Sequence, residues 1–136
     1  MSVEDNKKLV MDTWLAFWRG DIEEGVANMT DDIAWFTPGT NQFSGWKRGK
    51  DAIRAFRFGE LDIFEELKRE IIGLYGDGDT VVMEALAVGR LRNGAPYENA
   101  GCVVWQIRDG KIHTVRQYVD TQKAAAISTL LHSAPS

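Results

Sequence analysis

Few side chains in this sequence could take part in a reaction, and each also has a plainer use. His113 stands in a run where apolar and polar residues alternate, and an unperturbed imidazole titrates near neutrality, which suits a general base. It neighbours the Asp109-Gly110 pair, however, and hairpin ends are usually solvated, so a structural or exposed imidazole is the simpler reading. Asn99 and Gln117 lie in adjoining alternating runs. Their amides could grip a carbonyl or a water, or they could satisfy each other and nearby backbone. Asp120 follows the last run and precedes a helical stretch, so its carboxylate fits a helix cap. Cys102 is the single cysteine, which rules out an intramolecular disulfide and a thiolate metal cluster. One sheet histidine without a partner cluster gives no metal site, and no cofactor is expected.

These residues must be positioned by elements that the periodicity outlines. Residues 2–19 carry Leu9, Val10, Thr13, Trp14, Phe17 and Trp18 at steps of three and four, the mark of a helix with one aromatic face. Ser2 and Asp5 suit its start and Gly20 its end. Asp21 and Glu24 open a second short helix with Ile22, Val26 and Met29 buried. A turn at 30–32 and a short strand over 33–37 follow, stopped by Pro38-Gly39. Residues 40–49 read as a loop anchored by Phe43 and Trp46. Residues 51–58 read as a helix with Ile53 and Phe56 on one side, and 61–67 as its broken continuation or a lid.

From 68 onward the period changes to two. Strands are expected over 68–75, 80–92, 97–108 and 111–119, with turns at 76–79, Asn93-Gly94 and Asp109-Gly110. A last helix over 122–132 closes the chain, and 133–136 should fray. Helices first and an antiparallel meander after them argue for a single α+β domain over residues 1–136, with its helices on one face of the sheet.

Composition supports one ordinary domain. The chain has 136 residues, 44% of them hydrophobic, and its five Trp and six Phe favour a large core or an aromatic-lined cavity. A formal net charge of -4 argues against nucleic acid as a partner. No apolar run approaches membrane-spanning length and the first ten residues are charged, so no membrane association and a cytoplasmic location are expected.

The order and spacing of several short segments resemble the SnoaL-like families of the nuclear-transport-factor-2-like superfamily. They are Arg19-Gly20-Asp21 after the aromatic helix, Asp31 to Gly39, Ser44-Gly45, Gly49 to Ile53, Arg108 to Ile112 and Val115 to Asp120. The resemblance implies a cone-shaped roll, in which a strongly curved antiparallel sheet and the N-terminal helices enclose an apolar pocket. It also implies a homodimer through the outer sheet face, where Val82, Leu86 and Val88 would otherwise be bare.

The known chemistries of this fold fit the residues poorly. Alignment to ketosteroid isomerases puts Thr13, Thr37 and Val103 where a tyrosine and two aspartates belong, and none of them can serve. Alignment to limonene epoxide hydrolases puts Ala85, Ala87 and Gln117 at the Arg and Asp positions. SnoaL-like cyclases use an aspartate near the end of the last strand, and Asp120 lies near that place. These alignments imply an inward face carrying Met83, Ala85 and Ala87 on one strand and Tyr97, Asn99, Gly101, Val103 and Trp105 on the next. His113, Val115 and Gln117 come from the last strand, Trp35 and Thr37 from the early one, and Thr13, Trp14 and Phe17 from the first helix, with Phe56 nearby. Asp120, Gln117 and Asn99 are therefore the candidate catalytic residues, and Thr13, Trp14, Phe17, Trp35, Thr37, Phe56, Met83, Ala85, Ala87, Gly101 and Val103 are the ones expected to wall a site for a hydrophobic small molecule.

Two functions remain open. One is a cofactor-independent enzyme of isomerase, cyclase or hydratase/hydrolase type acting on such a molecule. The other is a non-catalytic binding or interaction module. A buried carboxylate or imidazole in the pocket would favour the first, and a pocket holding only amides and hydroxyls the second.

Overall fold

The computed structural model describes residues 2–132, so the expected fraying of 133–136 lies outside them. Helix α1 spans Val3–Trp18, and a reciprocal pair of hydrogen bonds between Ser2 and Asp5 caps its start. Its buried side carries Val10, Thr13, Trp14 and Phe17. Helix α2, Ile22–Ala27, starts where the Asp21 carboxylate accepts the Glu24 amide at 3.1 Å. It lies flat on α1 because Gly25 has no side chain: a Cβ there would stand 2.5 Å from the Phe17 ring.

Six strands follow: β1 Met29–Thr37, β2 Gly45–Arg48, β3 Phe64–Asp77, β4 Thr80–Leu91, β5 Pro96–Arg108 and β6 Lys111–Val119. Helix α3, Lys50–Ile63, separates β2 from β3, and helix α4, Thr121–His132, ends the described chain. The sheet order is β2-β1-β6-β5-β4-β3. It is curved and unclosed. The meander from β3 to β6 is antiparallel and held by tight turns. Asp109 and Gly110 both take positive φ, 52° and 77°, between the paired Arg108 and Lys111. A two-residue loop with two positive φ values matches the right-handed twist of its strands.

Four features differ from the sequence reading, each for a local reason. Thr30, Asp31 and Asp32 belong to β1 rather than to a turn. The register of β1 on β6 shifts between Met29 and Ala34, and this irregular part leaves both aspartates exposed. Residues expected to be loop supply β2, a four-residue edge strand whose Lys47 and Arg48 suit an edge. Helix α3 continues to Ile63 and runs directly into β3, so no separate lid occupies 61–67. Finally, β1 pairs with β6 in parallel, and α3 follows two strands instead of preceding the sheet.

The core sits between α1, α2 and the concave side of the sheet. Trp14, Trp105, Trp35 and Phe17 form a chain of edge-to-face contacts with centroids 5.6 to 6.3 Å apart. Such pairs add about 0.5–1.5 kcal/mol each beyond the area they bury. No helix among the described residues is long and apolar enough to cross a membrane.

Gly25→Ala tests the α1–α2 seam. Helix propensity alone would favour alanine by about 1 kcal/mol. The Phe17 ring is fully buried and cannot retreat, so a net loss of roughly 1–3 kcal/mol is expected in urea unfolding. A stabilised Gly25→Ala protein would show that the helices can separate freely.

Candidate functional site

Strand register assembles the site in rows across the concave face. One row runs Arg69, Ala87, Asn99; the next runs Ile71, Ala85, Gly101, Val119; a third runs Leu74, Met83, Val103, Gln117. Alternation sends every second side chain to this face. In the first two rows the middle residues are small, so the space above them stays open. A cleft of about 90 Å³ lies there. Trp14 of α1 and Phe56 and Ile63 of α3 form its walls, and Ala124 and Ile127 of α4 close one end.

Nine of the residues singled out from the sequence meet at this cleft. Trp14, Thr37, Phe56, Ala85 and Ala87 line it, as do Asn99, Gly101, Val103 and Gln117. Five do not. Phe17, Trp35 and Met83 are fully buried behind the wall, where the aromatic chain and the sheet pack against α1. Thr13 faces α2: its hydroxyl donates to the Leu9 carbonyl at 2.8 Å and accepts from the Asn28 amide at 2.9 Å. Asp120 is exposed, and its carboxylate accepts the Gln122 and Lys123 amides, both at 3.0 Å, as the cap of α4.

The two amides have different jobs. Asn99 is only 5% exposed and its polar atoms are used. Its NH2 donates to Tyr97 Oη at 2.9 Å and to the Asp120 carbonyl at 3.1 Å, while its oxygen accepts the Asp120 amide at 3.0 Å. It is therefore a clamp that fixes the start of α4. Gln117 differs: its oxygen accepts Trp35 Nε1 at 3.2 Å. That bond orients the amide, and the remaining NH2 has no partner among the described residues.

Helix α4 rests on more amide contacts. Asn41 donates to the Thr121 carbonyl, Gln42 to the Ala124 carbonyl and Ser128 Oγ, and Asn93 to the Leu130 carbonyl. Polar side chains thus hold the helix that closes the cleft.

Sequence reasoning missed several lining residues. Arg69 is the most telling, because it shares the alternating face of Leu67 and Ile71 and is the single charged residue in the described lining. A charge in an inward register position was the available signal. Arg57 was missed in the same way. It falls one helical turn from Ile53, on the buried stripe of α3, and is 1% exposed. Its guanidinium lies 4.2 Å from the Trp35 ring centroid and 5.0 to 5.2 Å from those of Phe56, Phe17 and Trp18. Val119 and the α4 pair Ala124 and Ile127 carried no pattern that set them apart, and Phe43 stood out only as a loop anchor.

Strong pKa perturbation lies elsewhere. The Asp32 carboxyl is held down to about 2 by its hydrogen bond from Arg108 and then by Thr30, on the surface. His113 does not line the cleft, and its Nδ1 lies 2.8 Å from the Thr114 hydroxyl. The described lining holds no carboxylate and no imidazole. Among the described residues no three His, Cys, Asp or Glu side chains gather as a metal site.

Comparison with known proteins bears on the fold. A family model described as a SnoaL-like domain matches residues 11–115. An NTF2-like protein from Burkholderia xenovorans LB400 is 24% identical, with 99% of each chain covered and a TM-score of 0.79. A candidate polyketide cyclase from Xanthomonas campestris pv. campestris is 23% identical over 91% of this chain and 96% of that one, with a TM-score of 0.74. TerC, crystallised with polyporic acid, is 22% identical over 95% and 99%, with a TM-score of 0.78. A search of curated proteins found no match.

The cap role of Asp120 can be tested directly. Asp120→Asn should change stability by no more than a few tenths of a kcal/mol, and Asp120→Ala should cost about 0.5–2 kcal/mol in thermal melting. An Asn variant as unstable as the Ala variant would mean that the charge, not the cap, is what α4 needs.

Proposed function

The chain belongs to the SnoaL-like domain family, and from that premise we propose that it takes up a hydrophobic small molecule bearing a polar oxygen in the cleft over Ala85, Ala87 and Gly101. The observation that carries this reading is the lining itself. It is apolar and aromatic over most of its extent, with one amide NH2, from Gln117, left to donate. Apolar clefts with a few placed polar groups are the usual form of small-molecule sites. The volume, about 90 Å³, is on the scale of the engineered ~150 Å³ cavity known to hold benzene, so one-ring ligands suit it.

Titration with the neutral probes benzyl alcohol and cinnamyl alcohol tests the site, read by tryptophan emission because Trp14 lines it. Saturable quenching and a raised melting temperature are expected for the parent. Ala87→Leu should abolish both while melting within a few degrees of the parent, since the new side chain enters open space. If Ala87→Leu melts far lower, the floor is already close-packed and the reading fails.

A second reading, cofactor-independent isomerisation, cyclisation or hydration of the ligand, is favoured by the cyclase description of the Xanthomonas relative. Against it stands the lack of a proton-moving carboxylate or imidazole in the described lining. Mass spectrometry of a ligand recovered after incubation separates the two: unchanged mass and structure support uptake, and a rearranged or hydrated product supports catalysis.

The proposal extends to a second copy of the chain on the outer sheet face. Tyr75, Val88 and Tyr118 are 56%, 43% and 42% exposed there. A homodimer is expected in sedimentation velocity, and a monomer independent of concentration would contradict it.

A further inference from the structure

Two groups that can only donate decide which way polar atoms of the cleft wall point. The buried indole of Trp35 offers one N–H and no acceptor, so Gln117 turns its oxygen to it, at 3.2 Å, and its NH2 the other way. Gln117 lines the cleft, and that nitrogen has no partner among the described residues. The Lys47 ammonium acts on Thr37 in the same manner. Besides the Phe43 and Gly45 carbonyls, it donates to Thr37 Oγ1, at 3.4 Å. A hydroxyl that accepts from an ammonium must aim its own hydrogen elsewhere. Thr37 is only 4% exposed and also lines the cleft, and no acceptor for that hydrogen stands among the described residues.

The two donors are neighbours. Strands β1 and β6 run parallel with Phe36 opposite Arg116, so the next residue of each, Thr37 and Gln117, stand side by side on the concave face. The lining does not offer acceptors to match. No carboxylate stands among its described residues. The oxygens of both its amides already accept, that of Gln117 from Trp35 and that of Asn99 from the Asp120 N–H. A ligand oxygen that only accepts satisfies both donors. An alcohol brings a hydrogen of its own, which is left without a partner in a site with little water.

We propose that Thr37 and Gln117 form a two-donor clamp for one carbonyl oxygen, with the ligand's apolar body over Gly101, Ala85 and Ala87. The pair then determines specificity: it selects a ketone over the alcohol of the same skeleton. This inference rests on the small-molecule reading of the cleft.

Matched pairs test it by calorimetry: acetophenone against 1-phenylethanol, and benzylideneacetone against its allylic alcohol. The members of each pair are alike in size and charge and differ in whether the oxygen carries a hydrogen. The parent should bind the ketones at least about fivefold more tightly. Thr37→Val keeps the shape of the side chain without its hydroxyl and should lose most of that preference, whereas Thr37→Ser should keep it. The infrared carbonyl band of bound, isotopically labelled acetophenone gives a second readout. It should lie below its position in hexane for the parent, and move back toward that position in Thr37→Val. Melting temperature and circular dichroism establish that each variant is folded; if Thr37→Val is not, Thr37→Ser and the parent's ratio and carbonyl band carry the test. Equal affinity for ketone and alcohol in the parent, or a carbonyl band at its hexane position, would overturn the clamp while leaving uptake intact. So would an unchanged preference in folded Thr37→Val. Failure of the ketones, their alcohols and benzyl alcohol alike to bind would overturn the uptake reading and this inference together.

Discussion

Much of the molecule is fastened to the indole of Trp35. It is fully buried on β1 and touches α1 through Phe17, β5 through Trp105 and α3 through Phe56 and Arg57. Its one polar atom must find an acceptor in a place without water, and Gln117 of β6 supplies it. That single requirement turns Gln117, which points its amide nitrogen away from the indole. The chemistry offered by the cleft is thus set by a packing demand behind its wall.

Curvature is the second constraint, and glycine makes it attainable. A Cβ at Gly101 would collide with the Tyr118 carbonyl, and one at Gly89 with the Glu66 carbonyl. Both positions bring neighbouring strands closer than a side chain permits, which lets the sheet bend toward the helices. The register shifts within β3 add to the bend. Gly101 therefore serves the shape of the sheet first, and the room above it is a result of that shape.

The sequence disclosed the parts of this architecture that rest on local rules. Helix α1 was legible from its apolar steps, its Ser2–Asp5 start and Gly20, and the last three strands from alternation between hairpin signals. The floor of the cleft was legible once a family resemblance fixed which face of each strand turns inward. What stayed hidden was non-local. The tetrapeptide of β2 has no pattern of its own and becomes a strand by lying beside β1. Arg57 and Arg69 carried no expectation from the sequence, and their place shows only once the rings around them are seen. Whether Asn99 faced a ligand or gripped Asp120 depended on where the next helix began.

The parallel pairing of β1 with β6 has a consequence for how the chain reaches this shape. Trp35 and Gln117 are 82 positions apart, and the whole meander lies between them. During synthesis β1 emerges long before the strand that covers it. The hairpins of β3 to β6 close through short loops and can form early, whereas β1 has to wait for a loop closure that spans most of the chain. Until then its apolar segment, Ile33 to Trp35, is bare, with only the short edge strand β2 and the aromatic side of α1 to shelter it. The pairing that orients Gln117 at the cleft is thus among those with the longest loop to close.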